Sequence, residues 1–116
     1  MATAMMLADD GHQVTVLERD AAPPPPDPTG AFGWDRRSVA QFGLAHILLT
    51  RGTQILERQL PAAYDLLASN GGFRFNLVEF LLGIQPDAVP EPDDARFEQL
   101  TGRRSTLEWA LATAAA

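Results

Sequence analysis

Cysteine is absent from this chain, which removes disulfide staples and thiolate metal sites at once. Also lacking is any apolar run approaching the roughly 20 residues that a membrane-spanning helix needs. The N-terminus has no basic stretch, and Asp9 and Asp10 cut its apolar run short, so a secretory signal is not expected. Positive charge is in deficit as well. The formal net charge is -6 and the pI is near 4.7. An acidic surface is repelled by nucleic acid and by anionic membranes, so neither is expected as a partner. These absences are compatible with a reducing, cytoplasmic location, which is the expectation. At 116 residues the chain has room for one small domain.

What is present centres on Gln13 to Asp20, Gln-Val-Thr-Val-Leu-Glu-Arg-Asp. Val14, Thr15, Val16 and Leu17 form a short, β-branched-rich run of the kind that fills a buried parallel strand. The strand ends in Glu18. Before it, Ala2 to Asp10 reads as a helix, and Gly11 stands where a left-handed helix stop is wanted. Helix, tight turn, strand and carboxylate, in that order, make the second half of a βαβ dinucleotide-binding unit. A strand-end carboxylate can accept hydrogen bonds from an adenosine ribose; it can equally be there for solubility. The full fingerprint has a Gly-x-Gly-x-x-Gly loop about 20 residues before the acidic residue, and counting back from Glu18 runs off the front of the chain. The expected fold is therefore α/β and helix-rich: an incomplete Rossmann-like domain without the first strand and the glycine loop.

The remainder divides by composition. Residues 1–20 hold the helix and strand, 21–33 a proline-rich connector, 34–72 an arginine segment with helices, 73–102 irregular structure and 103–116 a last helix. Ala21 to Pro28 predicts an exposed polyproline II connector, and Thr29 to Gly33 a flexible hinge. The period of Leu44, Ile47, Leu48 and Ile55 predicts one amphipathic helix from Val39 to Leu60. Pro61 then opens a helix over Ala62 to Ser69, which Asn70-Gly71-Gly72 stops. Phe73 to Leu82 reads either as a strand or as irregular packing. Gln85 to Arg96, broken by Pro86, Pro90 and Pro92, reads as a loop whose carboxylates Asp87, Glu91, Asp93 and Asp94 make a solvated face. Phe97 to Thr101 predicts a short strand. Ser105 and Glu108 have the spacing of a capping box at the start of the last helix.

Few of these residues suit catalysis. His46 on a predicted helix reads as a packing or surface residue, and His12 lies in a turn too remote to join it at a metal. No metal site and no catalytic acid, base or nucleophile is expected. Arg36 and Arg37 can donate several hydrogen bonds to a pyrophosphate or to the carbonyl side of a flavin, or can simply offset Asp35 in solvent.

Three stretches carry a family resemblance. Ala2 to Asp20 resembles the segment after the glycine loop in FAD-dependent oxidoreductases, most of all the aromatic-hydroxylase-like and epoxidase-like flavin monooxygenases. Trp34 to His46 is similar to their flavin-contacting arginine segment, and Arg104-Ser-Thr-Leu107-Glu108 to their Arg-x-x-Leu stretch before a helix. The three follow the family's order. Arg36 to Val39 matches an Arg-x-Gly-Val arrangement, with Ser38 in place of the glycine. The resemblance implies that Glu18 holds ribose and that Arg36, Arg104 and Arg19 meet phosphates or flavin, with Gln41 a polar contact near the ring. Arg103 stands next to Arg104 and could substitute for it. The intact relative would bind FAD, accept hydride from NAD(P)H and oxidise a small organic substrate; this chain alone would be inactive. The competing expectation is a non-enzymatic interaction module or a remnant without activity, because an unpaired strand at Val14 to Leu17 invites association.

Overall fold

Proline and glycine punctuation decides where the middle of this chain breaks. Leu60-Pro61 separates two helices, since proline lacks the N–H that a continuing helix would use. Gly71, at φ +102, takes the left-handed step that ends the second helix. The computed structural model describes residues 1–85 and 87–116. Its elements are α1 (Ala2–Asp9), β1 (Ala45–Leu48), α2 (Thr50–Gln59), α3 (Pro61–Ser69), β2 (Phe73–Asn76), α4 (Leu77–Ile84), β3 (Glu98–Arg103) and α5 (Arg104–Ala114). Short 3-10 turns lie at Pro28–Gly33 and Asp94–Phe97. The fold is thus helical with a small sheet, ordered β1-β3-β2 and antiparallel throughout.

β3 is central because it is the strand with a partner on each side. Leu48 and Arg74 flank Leu100, and Ile47 and Phe73 flank Thr101. Leu100 is buried beneath the helices. Thr53 fastens α2 to the sheet: its hydroxyl donates to Leu48 O and accepts the Leu100 N–H, both at 2.9 Å. α3 brings Ala63, Tyr64 and Leu67 against α5, where Leu107, Trp109 and Ala110 complete the core. The indole N–H of Trp109 donates to Pro25 O at 3.0 Å, and that of Trp34 to Ala22 O at 2.9 Å. The proline-rich connector, expected to be only a stiff exposed loop, is therefore pinned to the body by both tryptophans.

Several expectations are corrected. Val14 to Leu17 is not a buried parallel strand: residues 12–18 pair with nothing in the sheet, and Leu17 is 92% exposed. The strand reading rested on β-propensity alone, which requires a neighbour to pack against. Val39 to Leu60 is not one helix but a run of turns, then β1, then α2. The apolar positions at 44, 47 and 48 fit a helical period, yet β3 recruits Ala45–Leu48 into its ladder. Thr29 to Gly33 is a 3-10 turn capped by Asp27, which accepts from the N–H groups of Thr29 and Gly30. Phe73 to Leu82 is a strand and then a helix, divided by Asn76, whose side chain accepts from Val78 and Glu79. The Ser105–Glu108 capping box does not form: Arg103 is the N-cap, without a side-chain cap, and the fully buried Ser105 hydroxyl has no hydrogen-bond partner. Within 85–96 a 3-10 turn begins at Asp94, while Pro86 lies outside the described residues.

The core is thin for the chain's length. The radius of gyration is 16.2 Å, against about 13 Å for a compact chain of this size. The accessible surface is 7759 Å², where a folded monomer of this mass exposes roughly 6,200 Å². Close contacts around Leu67 should therefore matter disproportionately. A Cβ at Gly72 would sit 2.7 Å from Leu67 O, a backbone atom that cannot swing aside. Gly72→Ala is expected to cost about 1–3 kcal/mol. Gly33→Ala, with open space at its Cβ, should range from neutral to about 1 kcal/mol stabilising. Urea unfolding followed by tryptophan fluorescence measures both.

Candidate functional site

The residues with the strongest chemistry meet where the N-terminal segment touches the start of α5. Arg36 lies over the Trp34 ring, its guanidinium carbon 4.7 Å from the centroid, and its side chain is only 11% exposed. The flat cation stacks on an electron-rich face and keeps its edges for carboxylates. Its Nη2 is 2.8 Å from Glu18 Oε2 and 3.8 Å from Glu108 Oε2. On the same edge Nε is 3.8 Å from Asp20 Oδ2, beyond hydrogen-bond reach, and is a buried N–H without a partner. Glu108 turns its second oxygen toward Arg104 Nε at 3.5 Å, and Arg104 Nη1 donates to Ala40 O at 3.2 Å. A single ionic chain thus runs from Glu18 through Arg36 and Glu108 to Arg104.

Local geometry fixes the carboxylates. Glu18 Oε1 accepts the Asp20 N–H at 2.9 Å, two residues on. Asp20 accepts both the N–H of Ser38, at 3.1 Å, and its hydroxyl. Ser38 occupies the position where the resembled family has glycine, and here its side chain has a use: it anchors Asp20. These contacts favour the ionised carboxyls. The Glu18 carboxyl is held below its ordinary value chiefly by the Asp20 N–H, with Arg36 adding charge. The Asp20 carboxyl is lowered chiefly by the Ser38 hydroxyl, then by the Ser38 N–H and by Arg36.

Of the four residues singled out from sequence, Glu18, Arg36 and Arg104 come together and Arg19 does not. Arg19 is exposed and, among the described residues, makes no ion pair; its charge only helps to hold Asp20 ionised. Arg103, the alternative to Arg104, lies over the Phe32 ring at 4.8 Å. Arg37 is the solvated partner of Asp35, at 2.9 Å. Gln41 stands in the left-handed region at φ 57, unusual for a residue with a side chain. His46 lies on β1 rather than on a helix, and His12 is exposed just past the turn that follows α1.

Asp20, Ser38 and Glu108 were the residues that sequence reasoning missed. Asp20 ends the stretch that drew attention, and Glu108 was read as a cap; nothing local marks either as a partner of Arg36. Three carboxylates face two guanidiniums here, so the cluster is net negative and its most buried cation is already surrounded. As arranged, it holds two chain segments together: Glu18 and Glu108 share Arg36 Nη2, and Glu108 also reaches Arg104. Recesses of about 290 Å³ lie elsewhere, beside Met5, Asp9 and Pro61, and beside Arg74 and Asn76. Among the described residues no group of three or more metal-ligating side chains occurs, and no helix is long and apolar enough to cross a membrane. Comparison with protein-family models, with curated proteins and with solved structures finds no match.

Two outcomes follow from the cluster. Arg36→Ala leaves Glu18, Asp20 and Glu108 facing one another, and should destabilise the chain by about 1–3 kcal/mol. Arg37→Ala, at a side chain 87% exposed, should change stability by less than about 0.5 kcal/mol. Thermal unfolding ranks them. The second concerns pH. Because the Glu18 and Asp20 carboxyls are depressed in the folded chain, their contribution is present above the unfolded carboxylate range near 4. It is lost as pH falls through the folded values. The melting temperature of Asp20→Asn should therefore fall less steeply than that of the wild type between about pH 5 and pH 2.

Proposed function

We propose that this chain is part of the cofactor-binding region of an FAD-dependent oxidoreductase of the monooxygenase kind, and that it does not hold the cofactor by itself. One observation supports the reading best. Glu18, Arg36 and Arg104, far apart in sequence and each matching a family segment, lie in one ionic chain. In this reading residues 2–20 are the stretch that follows the glycine loop of a Rossmann-like unit, 14–17 becoming a strand only beside the first strand of that unit, with Glu18 toward ribose and the arginines toward phosphate or flavin. A nicotinamide electron donor and a small organic substrate belong to the same proposal.

The residues as they stand do not fit the cofactor. Both Glu18 oxygens are engaged, by Asp20 N–H and by Arg36. Arg36 already faces Glu18, Asp20 and Glu108. The sequence has no Gly-x-Gly-x-x-Gly loop, whose backbone N–H groups would take the pyrophosphate. When bound, FAD supplies the redox chemistry; this chain's share is binding and orientation, after Arg36 and Glu18 release one another.

A second reading, a non-enzymatic interaction module, is favoured by the apolar surface left open. α4 has no buried residue, and its Phe80 and Ile84 are 54% and 65% exposed.

Gel filtration after mixing with FAD distinguishes the two. The chain as given should elute without flavin absorbance. A version extended N-terminally by an apolar strand and a glycine loop should elute yellow. In that version Glu18→Ala should weaken FAD by roughly tenfold or more, while Glu57→Ala, at a helix surface, should not. An extended chain that stays colourless would remove the flavin reading.

A further inference from the structure

His12 to Glu18 runs through seven residues without helix, turn or bend, and every φ in it is negative. Both ends are fixed. The His12 N–H donates to Leu7 O at 3.0 Å, just after the left-handed Gly11, and Glu18 is held by Arg36. Between these anchors, among the described residues, no hydrogen bond involves the backbone of Gln13 to Leu17. Side chains alternate as on a strand. Val14 and Val16, 37% and 50% exposed, border a recess of about 210 Å³ with Met1, Met5 and Ala115, whereas Leu17 is 92% exposed and points away from it. A β-branched segment held straight at both ends, with its N–H and C=O groups unpaired, is an open sheet edge that has already met part of its ordering cost.

We infer that this edge pairs, antiparallel, with the same segment of a second copy of the chain, Thr15 opposite Thr15 on a two-fold axis. Self-complementarity selects the partner and the register. With Thr15 at the centre, all seven residues pair: Val14 lies opposite Val16, Gln13 opposite Leu17 and His12 opposite Glu18. An imidazole N–H thus faces a carboxylate, and Arg19 of each copy comes beside the Asp9–Asp10 corner of the other. Opposed residues in an antiparallel pair share a face, so both copies keep their valines on the α1 side. Sliding by two residues one way pairs only 12–16 and leaves Glu18 without His12. Sliding by two the other way pairs only 14–18 and leaves His12 without Glu18. The two adjacent odd registers, which pair Thr15 with Val14 or with Val16, turn the two α1 helices to opposite faces. Charges directly opposed in a sheet discriminate between such registers. The contact takes the backbone edge of 13–17 and Glu18, which the flavin reading gives to a neighbouring strand and to ribose, so the dimer describes this chain without bound cofactor.

The absence of cysteine makes the test direct. Thr15→Cys introduces a single thiol, on an exposed residue, into the otherwise intact chain. Opposed residues in antiparallel strands have Cα atoms about 4.5–5.5 Å apart, within the span of a disulfide. Leu17→Cys is more exposed, but its two copies would lie roughly 14 Å apart. Under mild oxidation the Thr15→Cys chain should form covalent dimer at least tenfold faster than the Leu17→Cys chain. A mixture of Gln13→Cys and Leu17→Cys chains should cross-link to each other. Unmodified chain should sediment as a concentration-dependent monomer–dimer mixture, and a chain carrying both Val14→Pro and Thr15→Pro, which removes a ladder N–H in either phase of the pairing, as monomer. Leu17→Cys reacting as fast as Thr15→Cys would overturn the register. Unmodified chain remaining monomeric up to near-millimolar concentration would overturn the pairing itself, whatever the variants do.

Discussion

The arrangement of this chain depends on one cation with too many partners. Arg36 draws Glu18 and Asp20 from the N-terminal segment and Glu108 from α5 to a single guanidinium, which Trp34 supports from below. The segment from Val14 to Asp20 has no ladder to hold it, and α1 has no fully buried residue. The ionic cluster and the indole hydrogen bonds to Ala22 and Pro25, together with the packing of Ala2, Met5, Met6 and Ala31 on the core, fasten the first third of the chain to the rest. Such a clasp is directional but not strong. Its carboxylates are partly solvated, and salt weakens pairs of that kind.

Behind the clasp, cohesion comes from α3 against α5 and from β3 beneath α2. This is a small core carrying a large surface. Apolar side chains left outside it, from Leu17 to Phe73 and Ile84, are not scattered at random. They lie on the elements with fewest neighbours: the unpaired N-terminal segment, the edge strands and α4. A chain of this kind gains stability from anything that covers those elements. The open edge at His12 to Glu18 and the interaction reading share that physical origin.

Legibility from sequence followed how local each signal was. Pro61, Gly11 and Gly71–Gly72 marked helix boundaries because each acts through its own φ or its missing N–H. The last helix was readable from its composition even though its capping box did not form; Ser105 went into the core instead. Strand assignments failed wherever the partner decided the outcome. Val14 to Leu17 has strong β-propensity and no neighbour, while Ala45–Leu48, with a helical period, was captured by β3. The antiparallel sheet could not be foreseen because its registers join residues 22 to 58 positions apart. Glu18, Arg36 and Arg104 were chosen one by one by resemblance. Their connection through Glu108, and the part Ser38 plays through Asp20, became visible only in three dimensions.

The central claim is that Arg36 couples the N-terminal segment to α5 through Glu108. Hydrogen–deuterium exchange, read by peptide in the wild type and in Glu108→Gln, tests it most directly. Glu108→Gln keeps the shape and removes the charge that bridges the two arginines. The account predicts faster exchange in 17–20 and 34–40 as well as in the first turn of α5, while α3 and β3 stay protected. Faster exchange confined to α5, with 17–20 and 34–40 unchanged, would contradict it.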